Sequence, residues 1–199
     1  MKKSHSAQER FLNFLDPRGK LSSAEQAFLL KNSEIVSAHK NDHLLQTGDE
    51  LTHVLYLLDG IVRYYVITED GREVTKAFYK DSFLMGSFDV TFNKGANKFS
   101  VQALSDVRFL KIPIENIRSL LETSHEFSKA YNRFLTSVFI FKEKREIELL
   151  STTGKERYES FNQDFPMIAD EISGVTLASY LGITPVQLSR IKNLTLAKK

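Results

Sequence analysis

Arg190 and Asn193 stand three residues apart in the stretch 175–194, which reads VTLASYLGITPVQLSRIKNL. Arginine can donate two parallel hydrogen bonds to guanine, and asparagine can pair with adenine. Both types therefore suit base-pair edges in a major groove. At about 100° per residue they share one helical side with Val186 and Ser189, while Leu188, Ile191 and Leu194 fall on the opposite, buried side. Thr184-Pro185-Val186-Gln187 has capping-box spacing with proline at the first helical position, so a helix is expected to begin there. Gln187 lies nearer the buried side and is expected to cap the helix, not to touch a base. The free N–H groups after Thr184 can hold a phosphate, and Lys192, Lys198 and Lys199 can neutralise others.

A reading helix needs a partner that crosses it closely. Leu177, Ala178 and Leu181 predict a short amphipathic helix before it, with Ala178 small at the crossing. Gly182 falls where the chain must turn sharply, and Ile183 would bury the turn. The net charge of +2 is close to neutral and does not itself imply nucleic acid. Its distribution says more. Residues 175–199 hold Arg190, Lys192, Lys198 and Lys199 and no acidic residue, leaving 23 basic and 25 acidic residues elsewhere. The plainer alternative is an ordinary helical hairpin packed on its own domain. The coincidence of small residue, glycine turn, capped second helix and local positive charge favours duplex DNA.

Upstream the texture differs. Ser22-Ser23-Ala24-Glu25 predicts a helix over about 23–31. Seven runs rich in Val, Ile, Phe and Tyr follow, at 35–39, 43–47, 53–58, 61–68, 73–79, 98–104 and 107–112. Turn signals such as Asp59-Gly60 and Asp70-Gly71 separate them. This spacing predicts an antiparallel sandwich or barrel-like roll. Pro113 closes the last strand, and 114–121 reads as a short helix.

Thr123-Ser124-His125-Glu126 then caps a long helix free of Pro and Gly until Gly154. Phe127, Tyr131, Phe134, Val138 and Phe141 follow a 4-3-4-3 spacing, the pattern of a coiled-coil seam. A helix of 25 residues is ~38 Å long, more than one small sandwich can cover, so this seam is expected to pair with a second copy. Residues 155–165 predict a further helix.

Several chemistries are excluded. There is no cysteine, hence no disulfide, thiolate metal site, iron–sulfur cluster or thiol nucleophile. No window is long and apolar enough to span a membrane, and the residues after Met1-Lys2-Lys3 are too polar for a signal peptide. A cytoplasmic protein is expected. His39 and His43 sit in a strand–turn–strand segment, and no His-x-His occurs, so no metal site is expected. Nucleophile-elbow, Walker and dinucleotide-binding motifs are absent, and neither an enzyme nor a bound cofactor is expected.

The order of parts resembles the Crp/Fnr family, dimeric bacterial regulators with a cyclic-nucleotide-binding-type β-roll. The resemblance runs from about Ser33 to Leu194. Gly48 and Gly60 fall where the family's roll glycines lie, and Thr153-Gly154 matches its Thr-Gly after the dimer helix. The sequence over 177–191 is especially similar to short Crp-like regulators of Bacteroidetes. Arg190 matches the family's base-reading arginine. Pro185 and Val186 replace its common Arg and Glu, which implies a different operator.

The family's nucleotide cassette reads Phe-Gly-Glu-Leu, followed by Arg-Ser-Ala. Here Phe83-Leu84-Met85-Gly86-Ser87-Phe88 lacks the Glu, and Asn97-Lys98-Phe99-Ser100 lacks the Arg. The base-contacting Thr-Ser pair falls near Ile140-Phe141, which are apolar. A phosphate without its bidentate Arg is poorly paired, so cyclic AMP is not expected. Two readings stay open. Gly86, Ser87, Lys98 and Ser100 line a pocket for an unidentified small-molecule effector, or Phe83, Phe88 and Phe99 fill the space. Only Thr195 to Lys199 follow the recognition helix, so the family's β-hairpin wing is not expected, and its phosphate contacts would fall to the lysine tail.

Together these readings predict an α+β chain. An N-terminal antiparallel, jelly-roll-like β-roll occupies 1–124, a long dimerisation helix 125–150, and an all-α helix-turn-helix 151–199. The expected partners are double-stranded DNA, a second copy and a small-molecule effector, with no membrane. The alternative is a small-molecule-sensing roll whose helical tail binds a protein.

Overall fold

A computed structural model describes residues 6–93, 95–166, 168 and 171–196. Two short helices lead, α1 (Ala7–Leu15) and α2 (Ser23–Leu30). Each opens on a reciprocal cap: Ser6 with Glu9, and Ser22 with Glu25. The pairing satisfies two otherwise orphaned N–H groups at each helix start.

Eight strands follow: β1 (Glu34–Ala38), β2 (His43–Leu45), β3 (His53–Asp59), β4 (Ile61–Ile67), β5 (Glu73–Lys80), β6 (Phe83–Met85), β7 (Ser100–Ala103) and β8 (Val107–Pro113). They form two four-stranded sheets, ordered β1-β8-β3-β6 and β2-β7-β4-β5. The β1–β8, β3–β8, β3–β6 and β2–β7 pairs run antiparallel. The seven expected strands are all present. The eighth, β6, is three residues long and pairs Phe83–Met85 with Leu55–Leu57. Its run is too short to show periodicity. A short helix, α3 (Phe88–Asn93), follows it and was likewise not expected.

Strand β3 is buried at every residue from Val54 to Leu58. Such a run needs cover on both faces. Helix α1 supplies part of it: the rings of Phe11 and Phe14 lie 5.2 and 5.1 Å from that of Tyr56.

Five helices follow among the described residues: α4 (Ile114–Thr123), α5 (His125–Ser151), α6 (Gly154–Asp164), α7 (Gly174–Leu181) and α8 (Pro185–Leu196). The cap of α5 differs from the expected one. The Ser124 hydroxyl accepts from the Phe127 N–H at 3.0 Å, while the Thr123 hydroxyl donates back to Ser119 O at 2.7 Å. With 27 residues α5 extends about 40 Å.

The chain divides into two compact units, one of residues up to 63 with 78–137, the other of 64–77 with 138 onward. This division falls inside α5, between 137 and 138. The outer part of the β4–β5 hairpin groups with the C-terminal helices.

The first unit corrects the predicted dimer seam. Phe127, Tyr131 and Phe134 are turned inward, the first two almost wholly buried. Tyr131 stacks on Phe127 at 6.0 Å and meets Phe134 edge-on at 5.7 Å, and Phe88 and Phe92 close on the same cluster. Burial pushes the Tyr131 hydroxyl up to about 12. Val138, in the second unit, is also buried, and of the five seam residues only Phe141 is exposed. A 4-3-4-3 apolar row serves equally to pack a helix on its own sheet, and here four of its five members are spent within the single chain.

Candidate nucleic-acid interface and effector pocket

Helices α7 and α8 are built around one turn. The Ser173 hydroxyl caps α7 by accepting from the Thr176 N–H at 3.1 Å. Gly182 ends it at φ 65°, ψ 36°, a left-handed geometry that glycine adopts without a Cβ penalty. The Ile183 N–H then returns to Ala178 O at 3.0 Å. Thr184 opens α8: its hydroxyl accepts from the Gln187 N–H at 3.2 Å, and the Gln187 amide oxygen accepts from the Thr184 N–H at 2.8 Å. Gln187 thus caps the helix, as its position implied.

Leu177, Ala178, Leu181 and Leu188 are buried, and Ile191 is half-buried. Leu194, expected on the buried side, is 62% exposed, so the packed side of α8 ends at Ile191. The opposite side is open. Thr184, Val186, Ser189, Arg190 and Asn193 are all exposed, and Lys192 is half-buried. Ser189, Arg190 and Asn193 bond to no described side chain, so their polar groups are available. Lys198 and Lys199 lie outside the described residues.

Three residues that sequence reasoning did not single out for this role fix the turn in place. An added Cβ on Gly154 would lie 2.7 Å from Ile183 Cγ2, so only glycine lets α6 begin this close to the turn. Arg157 is buried, and its Nε donates to Leu181 O at 2.7 Å while Nη1 donates to Thr152 O. Arg145 donates to Tyr180 O, pairs with Glu148, and holds its guanidinium 4.0 Å from the centre of the Tyr180 ring. Burial raises the Tyr180 hydroxyl above its ordinary value, with Arg145 pulling the other way. The last carbonyls of α7 thus receive two cations at the negative end of the helix dipole. The only sequence sign was an arginine beside the apolar positions of α6.

The predicted effector residues do not surround one cavity. Lys98 is exposed and bonds Asp89 at 2.7 Å. The buried Ser100 hydroxyl accepts from the Thr47 N–H at 3.2 Å. Ser87 opens α3, its carbonyl accepting from the Thr91 hydroxyl at 2.8 Å. Gly86 alone lines an internal cavity, with Phe88, Tyr131 and Phe134 among its walls, and that cavity holds about 10 Å³. This is room for about one water. A wider cleft of about 1010 Å³ opens beside β1 and β2, lined by Asp42, Asp49, Glu50 and His53 among others, and by none of the four. Among the described residues no three His, Cys, Asp or Glu side chains converge on a metal site, and no helix is long and apolar enough to cross a membrane.

A sheet domain is followed by a long helix and a capped helical pair. Comparisons with known proteins agree. Residues 35–124 match the family described as cyclic nucleotide-binding domain. A global nitrogen regulator of a Nostoc species is 29% identical over 99 residues, 49% of this chain and 44% of that protein. The chain thus spans less than half the length of this curated relative in the matched region. A Crp/Fnr-family transcriptional regulator of Eubacterium rectale superposes with a TM-score of 0.77 at 17% identity, covering 94% of this chain and 88% of that one. FixK2 of Bradyrhizobium japonicum gives 0.69 at 17% identity, covering 83% and 85%. Residues 35–124 are thus similar to cyclic nucleotide-binding domains, and the chain has the fold of the Crp/Fnr regulators.

Proposed function

We propose that this protein is a homodimeric transcription regulator that reads duplex DNA with the open side of α8. The observation that carries the reading is the combination on that helix: a left-handed glycine turn, a capped first turn, and Val186, Ser189, Arg190 and Asn193 exposed together. Arg190 is assigned to guanine, Asn193 to adenine and Val186 to a thymine methyl, with Thr184 and Lys192 toward phosphates.

The dimer seam is assigned to the outer side of the second half of α5. Ile140, Glu143, Ile147 and Leu150 keep a 3-4-3 spacing, and Leu150 is 81% exposed. Phe139 stands beside them, also exposed. A two-fold pair would set two reading helices about 34 Å apart on a pseudo-palindrome. The roll does not take cyclic AMP in this reading. No arginine stands at the cassette position, Lys98 is committed to Asp89, and the cavity beside Gly86 falls far below the roughly 300 Å³ of small ligand pockets.

Titration of duplex DNA at increasing salt tests the proposal. Affinity should fall with a log–log slope of about −0.9 per phosphate neutralised, and Arg190→Ala should erase preference at one base pair. Salt-independent binding, or unchanged preference in Arg190→Ala, would sink it. The exposed Val175, Val186 and Leu194 are what the alternative, a protein-binding tail, would use.

A further inference from the structure

A basic depression lies on the first unit. Arg18, Lys129, Asn132, Arg133 and Thr136 wall a shallow depression of about 520 Å³. Four of the five come from one side of α5, at positions three and four apart, and Arg18 reaches in from the loop between α1 and α2. Among the described residues no carboxylate lines it.

The charges around it are incompletely matched. Arg18 is exposed and bonds to no described residue, and the Asn132 amide likewise has no described partner. Lys129 is held by Glu126 at 2.9 Å. Arg133 is anchored by the buried Asp16, whose Oδ1 lies 3.4 Å from Nη2 while Oδ2 accepts the N–H groups of Lys20 and Leu21 at 2.5 and 2.8 Å. Asp16 therefore fixes Arg133 with one long contact and spends its other oxygen on backbone. The Arg133 Nε is enclosed without any acceptor. A shielded guanidinium N–H is costly to leave unmet. The Thr136 hydroxyl donates to Asn132 O and offers only acceptor capacity.

Three cations and one amide around a concave surface form an array of donors. From this array we infer that the depression binds a small phosphate-bearing molecule. A phosphate group offers several oxygens and up to two negative charges to such an array, where a single carboxylate offers two oxygens and one. Guanidinium forks suit phosphate in two-point contact, and Arg133 is already oriented by Asp16. The site uses residues of one protomer only and stands independently of the DNA reading.

Calorimetric titration of the full chain with inorganic pyrophosphate tests it. The expected result is saturable binding at one site per chain, weakened at least tenfold by Arg18→Ala. That side chain is exposed and makes no hydrogen bond or ion pair to a described residue, so folding should be preserved. Arg190→Ala, on the proposed reading side, should leave pyrophosphate affinity unchanged, which separates this site from α8. Absence of saturable binding to the wild-type chain would overturn the inference. Equal affinity in Arg18→Ala would do the same, as would citrate binding as tightly as pyrophosphate, which would reduce the site to charge alone.

Discussion

The Thr75 N–H donates to the Ser179 hydroxyl at 2.7 Å. The donor belongs to β5 and the acceptor to α7, 104 positions apart in sequence, and both lie in the second unit. Thr75 is nearly buried, so its N–H has little recourse to water. Ser179→Ala is expected to cost about 1–2 kcal/mol by leaving that donor unmet. Urea unfolding of the two proteins measures it, and an unchanged midpoint would remove the bond from the account.

Arg157 should matter more. Its Nε and Nη1 bond the carbonyls of Leu181 and Thr152 within a buried setting. Arg157→Met removes those donors and the charge together while keeping much of the volume. A loss of about 2–4 kcal/mol is expected, with weakened DNA binding at temperatures where the variant is still folded. Wild-type stability in this variant would show the carbonyls to be satisfied otherwise.

The seam assignment separates two kinds of apolar residue on α5. Leu150→Glu, on the exposed side, should shift the protein from dimer to monomer in analytical ultracentrifugation with little change in thermal unfolding. Phe134→Ala, inside the first unit, should instead cost about 3–5 kcal/mol whatever the oligomeric state. Monomerisation by neither Leu150→Glu nor Ile147→Glu would refute the assignment.

His53 predicts a pH dependence. Burial, with Lys111 second, holds its imidazole below the ordinary range, against the opposing pull of Glu34. The Thr52 hydroxyl lies 2.7 Å from Nδ1. The unfolded chain therefore takes up a proton that the folded chain resists. Stability on this account is full above the unfolded value near 6.5 and declines as the pH falls through it toward the lower folded value. His53→Gln should flatten the fall in urea midpoint between about pH 7.5 and 5.5. Identical profiles for the two proteins would exclude His53 as the source.

Val186 allows base reading to be probed on the DNA side alone. Replacing the thymine assigned to it under the proposed reading by deoxyuridine deletes one methyl group and should weaken binding by about 1 kcal/mol. Val186→Ala should abolish the difference between the two duplexes. Retention of the full difference would assign the methyl contact elsewhere.

Legibility in the sequence followed the length and regularity of each signal. The seven expected strands, the Gly182 turn and the Thr184–Gln187 cap are local events, and they could be read directly. β6 could not, because three residues carry no period and its pairing with Leu55–Leu57 is a long-range fact. The row from Phe127 to Val138 could be read as helical, but periodicity states only that a side is apolar, not what covers it. Packing on the chain's own core answered that differently from pairing with a second copy. The guanidinium contacts of Arg145 and Arg157 were invisible for a related reason. An arginine in a charged helix looks solvated until the neighbouring helix end is in place. For the effector residues the sequence aligned positions, while the backbone decided which way each side chain went, and Lys98 went outward to Asp89.

The two arginines at the end of α7 bear on how a genetic screen would read. Selecting for loss of operator occupancy would recover substitutions at 145, 154 and 157 beside those at 190 and 193. The first group would score as specificity mutants without ever meeting a nucleotide, because the aim of the reading helix is set behind it. Second-site revertants of that group should map to the loop at 182–183, and those of the second group to the operator.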